Sequence, residues 1–138
     1  MMRVFIDSSA WYALLHAEQA EHDAAKDYFL KLLESRARLF STITEINQAV
    51  FLIKRDCGLA SAQEFTKVID EAALTTNLHI SWLTRRLRRN SLKHFFSFKE
   101  SEIELRHCII FEEIRKKKIN IIFSFDKRLK IFGVPIMP

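Results

Sequence analysis

Short apolar runs alternate with longer stretches of helical period along this chain. Residues 3–6 (Arg3-Val4-Phe5-Ile6) read as a buried strand. Ser8 or Ser9 is placed to cap the helix that follows, with Trp11, Leu14 and Leu15 on its inner side. A second helix over 21–35 carries Ala24, Ala25, Tyr28, Phe29, Leu32 and Leu33 at helical spacing, and 38–42 is a second strand. A third helix from about Thr44 to Arg55 turns Ile46, Ala49, Val50 and Ile53 inward and ends at Gly58. Residues 59–74 form a fourth. The strand 78–83 then leads to Thr84, which caps a helix reaching about Phe96, and a long helix covers roughly 99–118. Asn120 breaks it before the strongly apolar strand 121–125, and 134–137 is a last short strand. Strands alternating with helices predict an α/β fold, a mostly parallel central sheet flanked by helices on both faces.

Composition fixes the scale of that picture. A chain of 138 residues with two Gly and two Pro has no linker composition, so 1–138 reads as a single domain. The 12 Phe are taken as core packing. Charge is uneven: residues 1–69 hold 8 Lys/Arg against 9 Asp/Glu, a net of −1, while 70–138 hold 14 against 8, a net of +6. The second half is therefore the side suited to a polyanion. Cys57 and Cys108 form no C-x-x-C pattern and read as free thiols of a reducing compartment. Asp7 interrupts any apolar leader, and no apolar run approaches the ~20 residues that span a bilayer. A cytoplasmic protein without a membrane is expected.

In parallel α/β sheets the ligand site lies beyond the carboxyl ends of the strands. The first strand ends in Asp7, the strand 121–125 ends in Asp126, and the second strand feeds a helix whose first turn holds Glu45. Taken singly, each has a plainer reading: Asp7 as a helix cap, Glu45 as a charge favoured by the helix dipole, Asp126 as a turn residue. Only their coincidence at one sheet edge is informative. Three carboxylates brought together there raise one another's pKa unless a cation lies between them, and hard oxygen ligands favour Mg2+ or Mn2+.

The stretch Val4-Phe5-Ile6-Asp7-Ser8-Ser9-Ala10-Trp11 resembles the opening of the PIN domain, especially of the VapC-type toxin ribonucleases. Ser41-Thr42-Ile43-Thr44-Glu45 is similar to the family's second acidic motif, and Ile121 to Asp126 followed by Lys127 to its last. The resemblance runs along nearly the whole chain. It implies a Mg2+- or Mn2+-dependent endoribonuclease that cuts structured RNA, often a homodimer, neutralised by a cognate antitoxin. It places Asp7, Glu45 and Asp126 at the catalytic metal site and gives Ser9 and Ser124 the role of supporting hydroxyls.

One position departs from the family, which usually carries a further Asp about 19 residues before the last. That count lands on His107, with Cys108 after it as the small residue often found there. On this register an imidazole takes a metal-ligand position and shifts preference from Mg2+ toward Mn2+ or Zn2+. Glu104, one turn earlier, is another candidate ligand. Glu100, in Ser97-Phe98-Lys99-Glu100-Ser101, is ranked behind both because its register needs about two more helical turns, ~10 Å. The departure keeps a second function open, a degenerate PIN domain that binds RNA or protein with little nuclease activity. A receiver-type domain is a weaker third reading, because 38–42 offers no phospho-accepting Asp. Arg85, Arg88 and Arg89 share a helix face able to track RNA phosphates or simply to face solvent. Arg115 to Lys118 suits the C-terminal dipole of its helix. The aromatics Trp11, Tyr12, Tyr28 and Phe29 suggest core packing and, where exposed, a groove for a partner helix.

Overall fold

The computed structural model describes residues 1–75 and 77–138. Among these, five strands form one sheet in which every pairing is parallel: β1 (Arg3–Ile6), β2 (Arg38–Thr42), β3 (Leu78–Ser81), β4 (Ile121–Phe123) and β5 (Ile136–Met137). The spatial order is β3-β2-β1-β4-β5. The chain thus builds outward from β1 on one side, then returns to add β4 and β5 on the other. The gap between β1 and β4 is the topological switch point, where open α/β sheets form their ligand crevice.

Strand alternation sorts the core into two layers. Val4, Ile6, Leu39, Leu78 and Phe123 pack against α1 (Ser8–Leu15), α2 (His22–Glu34), α3 (Ile43–Cys57) and α4 (Leu59–Thr75). Phe5, Phe40 and Ile122 point the other way, onto Ile110 and Ile114 of α6 (Leu105–Lys117) and onto Leu129 and Phe132 of a 3-10 turn (Lys127–Phe132). The remaining helix, α5 (Arg85–Ser97), packs on α6. Gly58 closes α3 at φ +95°, a conformation side chains disfavour, and its N–H reaches the Lys54 carbonyl. No helix of the described residues is long and apolar enough to cross a membrane.

Several boundaries differ from the sequence pattern, each for a local reason. Of the caps the sequence offers for α1, Asp7 is the one used in place of Ser8 or Ser9: its carboxylate accepts from the Ala10 N–H at 3.0 Å, as its plainer reading has it. α3 starts at Ile43 because Thr42 caps it, accepting from the Glu45 N–H at 3.2 Å. β3 stops at Ser81, whose partner Thr42 is the last residue of β2, so Trp82 and Leu83 have no strand to pair with and stay exposed. β4 stops at Phe123, since the Phe125 N–H turns aside to the Ser9 hydroxyl. The helix expected from 99 begins only at Leu105. Leu15, expected on the inner side of its helix, is exposed, as are Ala24 and Leu33 of the helical-spacing set in α2.

Candidate active site

The first strand delivers Asp7 almost completely buried at the carboxyl edge of the sheet. Its three hydrogen bonds come from neutral groups: Ser9 Oγ at 2.7 Å and the Ala10 N–H at 3.0 Å on Oδ1, and Ser124 Oγ at 2.5 Å on Oδ2. Both hydroxyls are themselves held by the turn after β4. Ser9 Oγ accepts from the Phe125 N–H at 2.9 Å, and Ser124 Oγ accepts from the Asp126 N–H at 2.9 Å. The two serines therefore tie the end of β1 to the end of β4, and Asp7 is linked to Asp126 through Ser124 rather than by contact. Burial and the nearby charge of Glu45 push the Asp7 carboxyl up to about 7, against the lowering effect of these hydrogen bonds.

Glu45 is fully buried in the first turn of α3. Its Oε1 accepts from the Ser8 N–H at 2.9 Å, at the start of α1, which places it beside Asp7. Arg106 Nη1 donates to Oε1 at 3.2 Å and to Oε2 at 3.4 Å. The same guanidinium reaches Asp126 Oδ2 at 3.7 Å and Glu104 Oε2 at 3.5 Å. A deeper bond supports this edge: Ser41 Oγ donates to the Ile6 carbonyl and accepts from the Trp11 indole N–H.

Asp126 sits in the opposite environment. Its Oδ1 accepts from the Arg128 N–H at 3.0 Å and Arg128 Nε at 2.9 Å, and its Oδ2 takes Arg128 Nη2 at 2.8 Å and His107 Nε2 at 3.1 Å. Burial works to raise this carboxyl, but the bonds from His107 and Arg128 outweigh it and hold Asp126 well below the usual carboxylate range. His107 is buried, and its Nδ1 accepts from the Glu104 N–H at 2.9 Å. That bond fixes the tautomer: the proton is on Nε2 and is donated to Asp126. Both ring nitrogens are thus committed, and neither has a lone pair free for a metal. Glu104 caps α6 with a half-exposed carboxylate bonded to Arg128 Nη1 at 3.1 Å. Glu100 lies exposed ahead of α6, where its carbonyl accepts from the Ile103 N–H.

Among the described residues, no three His, Cys, Asp or Glu side chains are close enough to share one ion. A carboxylate offers about four lone-pair positions, and those of Asp126 are all used. Asp7 and Glu45 keep unused acceptor capacity and lie together. Two hard carboxylates plus water are a usual protein contribution to Mg2+, so this pair fits a divalent ion. Asp126 has an oxygen position to offer such an ion only where Arg128 or His107 gives one up.

The arginines Arg106 and Arg128 do not figure in the sequence motifs, although one directly precedes His107 and the other follows Asp126 by two. Adjacency to a predicted ligand was the available signal. Arg85, Arg88 and Arg89 are exposed and, with Leu92, Lys93 and Phe96, line a shallow hollow on α5. That helix starts just after β3, at the same carboxyl edge as the acidic residues.

No protein-family model matches this sequence, and no curated protein matches it. Solved structures do. VapC20 of Mycobacterium tuberculosis, a toxin that cleaves the sarcin–ricin loop, superposes with a TM-score of 0.81 at 24% identity, over 98% of this chain and 99% of that one. PAE2754 of Pyrobaculum aerophilum superposes with a TM-score of 0.59 at 14% identity, over 98% and 89% of the two chains. The chain therefore has a VapC-like α/β fold of the PIN type.

Proposed function

We propose that this chain is an endoribonuclease of the VapC toxin type that hydrolyses phosphodiester bonds in structured RNA. One observation carries the reading: two adjacent buried carboxylates, Asp7 and Glu45, lie at the carboxyl edge of a parallel sheet whose fold is shared with VapC20 along almost its whole length. Two buried carboxyls side by side raise one of them, Asp7, toward neutrality, and perturbations of that kind gather at reacting sites. Mg2+ or Mn2+ held there supplies an activated water and stabilises charge on the phosphate.

The chain's own residues divide the remaining tasks. Ser9 and Ser124 fix both oxygens of Asp7, so its free lone pair has one direction. His107 in this reading replaces a family carboxylate and serves as the donor that aims Asp126. Glu104 acts through Arg128 and not as a ligand, and Glu100 has no part in the site. The basic face of Arg85, Arg88 and Arg89 receives RNA phosphates.

The toxin reading brings an antitoxin with it. An apolar hollow of about 580 Å3, lined by Trp11, Phe29, Leu33, Leu39, Val68 and Leu78, is the seat we propose for its helix. A homodimer acting in the cytoplasm completes the reading, and the free thiols Cys57 and Cys108 are in keeping with that compartment.

The test is direct. Purified protein with Mn2+ is mixed with an RNA hairpin carrying the sarcin–ricin sequence and with total RNA. Cleavage is expected, reduced at least ~100-fold by Asp7→Asn, since even the outer partners of a metal site are each worth about 10–100-fold. Intact RNA in every mixture, with Mg2+ as with Mn2+, rules the reading out.

A further inference from the structure

The cation nearest Glu45 belongs to the protein. Arg106 lies in the first turn of α6, two residues after the capping Glu104. That is the end of a helix where positive charge is disfavoured by the macrodipole. Its placement is explained by what it touches: both oxygens of Glu45, with Asp126 and Glu104 at the other edge of the guanidinium. The Arg106 side chain is 20% exposed, while Glu45 beneath it is 0% exposed. Arg106 is thus the outer cover of a carboxylate with no exposure of its own. A long side chain anchored near the surface can swing away without a change in the backbone. Arg128, by contrast, is held to Asp126 by three donors, its own N–H among them.

We propose that Arg106 is a tethered competitor of the divalent ion. In the resting protein its guanidinium compensates Glu45, and an ion enters beside Asp7 and Glu45 only as Arg106 swings out. This rests on the metal-dependent reading above and adds a gate to it. The physical reason is charge exclusion: a guanidinium and a divalent ion cannot both lie against Glu45 without strong repulsion. The site then binds metal more weakly than its carboxylates alone would, and occupancy is coupled to the position of one side chain.

The test reads binding rather than turnover. Mn2+ is titrated calorimetrically into the full chain as wild type, Arg106→Gln and Asp7→Asn. The Gln variant is expected to bind Mn2+ at least about tenfold more tightly than wild type, a difference of ~1.4 kcal/mol. In parallel, Mg2+ is titrated into 15N-labelled wild type, and the Arg106 Nε–H resonance is expected to move as the site fills. The second measurement needs no variant and stands if Arg106→Gln fails to fold. Equal or weaker binding by a folded Arg106→Gln, or an Arg106 resonance unmoved at saturating Mg2+, overturns the gate. If Asp7→Asn then still removes wild-type binding, the nuclease reading survives. Absence of Mn2+ binding in wild type and in the folded Gln variant overturns both.

Discussion

Asp7 and Asp126 share a chemical group, a sheet edge and one bridging serine, yet are driven in opposite directions. Asp7 receives only neutral donors, so burial and Glu45 raise it to about 7. Asp126 receives Arg128 and the His107 N–H, so it stays ionised far into acid. The consequences for stability have opposite signs. A carboxyl whose folded pKa exceeds its unfolded value binds its proton more tightly when folded. The stabilisation from Asp7 is therefore present at pH 4, falls as pH rises, and is gone above about 7. Asp126 stabilises fully above the unfolded carboxylate range and loses that contribution progressively as pH falls from there through its depressed folded value. In urea denaturation with chelator present, Asp7→Asn is expected to be more stable than wild type at pH 8 and to lose that advantage toward pH 4. A constant difference across that range would contradict the account. The carboxylates themselves could be read from the sequence, because each closes an apolar run. Their unequal states could not, because Arg106 and Arg128 reach Glu45 and Asp126 through the fold.

At the scale of elements, three of the six α-helices, α1, α3 and α5, start at a short polar side chain in extended conformation. Thr42, Thr84 and Asp7 each accept from an N–H three residues on. These signals are local and were legible, though the choice of Asp7 over Ser8 and Ser9 needed the geometry. The late start of α6 was not legible, since 99–104 has helix-compatible composition. There Ile103 is buried and Glu104 takes up the cap. On α5 the buried positions Leu87 and Ser91 fix which face is left for Arg85, Arg88 and Arg89. If that face tracks phosphates, Arg88→Ala and Arg89→Ala weaken RNA binding for all sequences alike. Each lowers the salt dependence of affinity by about one unit of slope. Fluorescence anisotropy across salt concentrations measures this; an unchanged slope would assign the arginines to solvent.

For the whole molecule, β1 does the organising. It lies between β2 and β4, its even residues face the α1–α4 layer, and Phe5 faces α6 with Phe40 and Ile122 beside it. Phe5 is fully buried, so Phe5→Ala is expected to cost roughly 3–5 kcal/mol in urea denaturation, with loss of any activity through loss of the sheet. A cost under ~1 kcal/mol would mean that the second core layer is not packed as described. The same strand ends in Asp7, so the residue at the candidate site is the next one along from the core. That is why the period of apolar residues located both together. Apolar period, strand ends and capping residues are local properties, and by themselves they determined the α/β layering, the parallel sheet and the edge where the carboxylates gather. Which cations meet those carboxylates is not local. Arg106 lies 61 residues from Glu45, and the serine link from Asp7 to Ser124 spans 117. Only the tertiary fold closes such distances, and so only it decided that Asp126 and His107 are already engaged while Asp7 and Glu45 retain unused acceptor capacity.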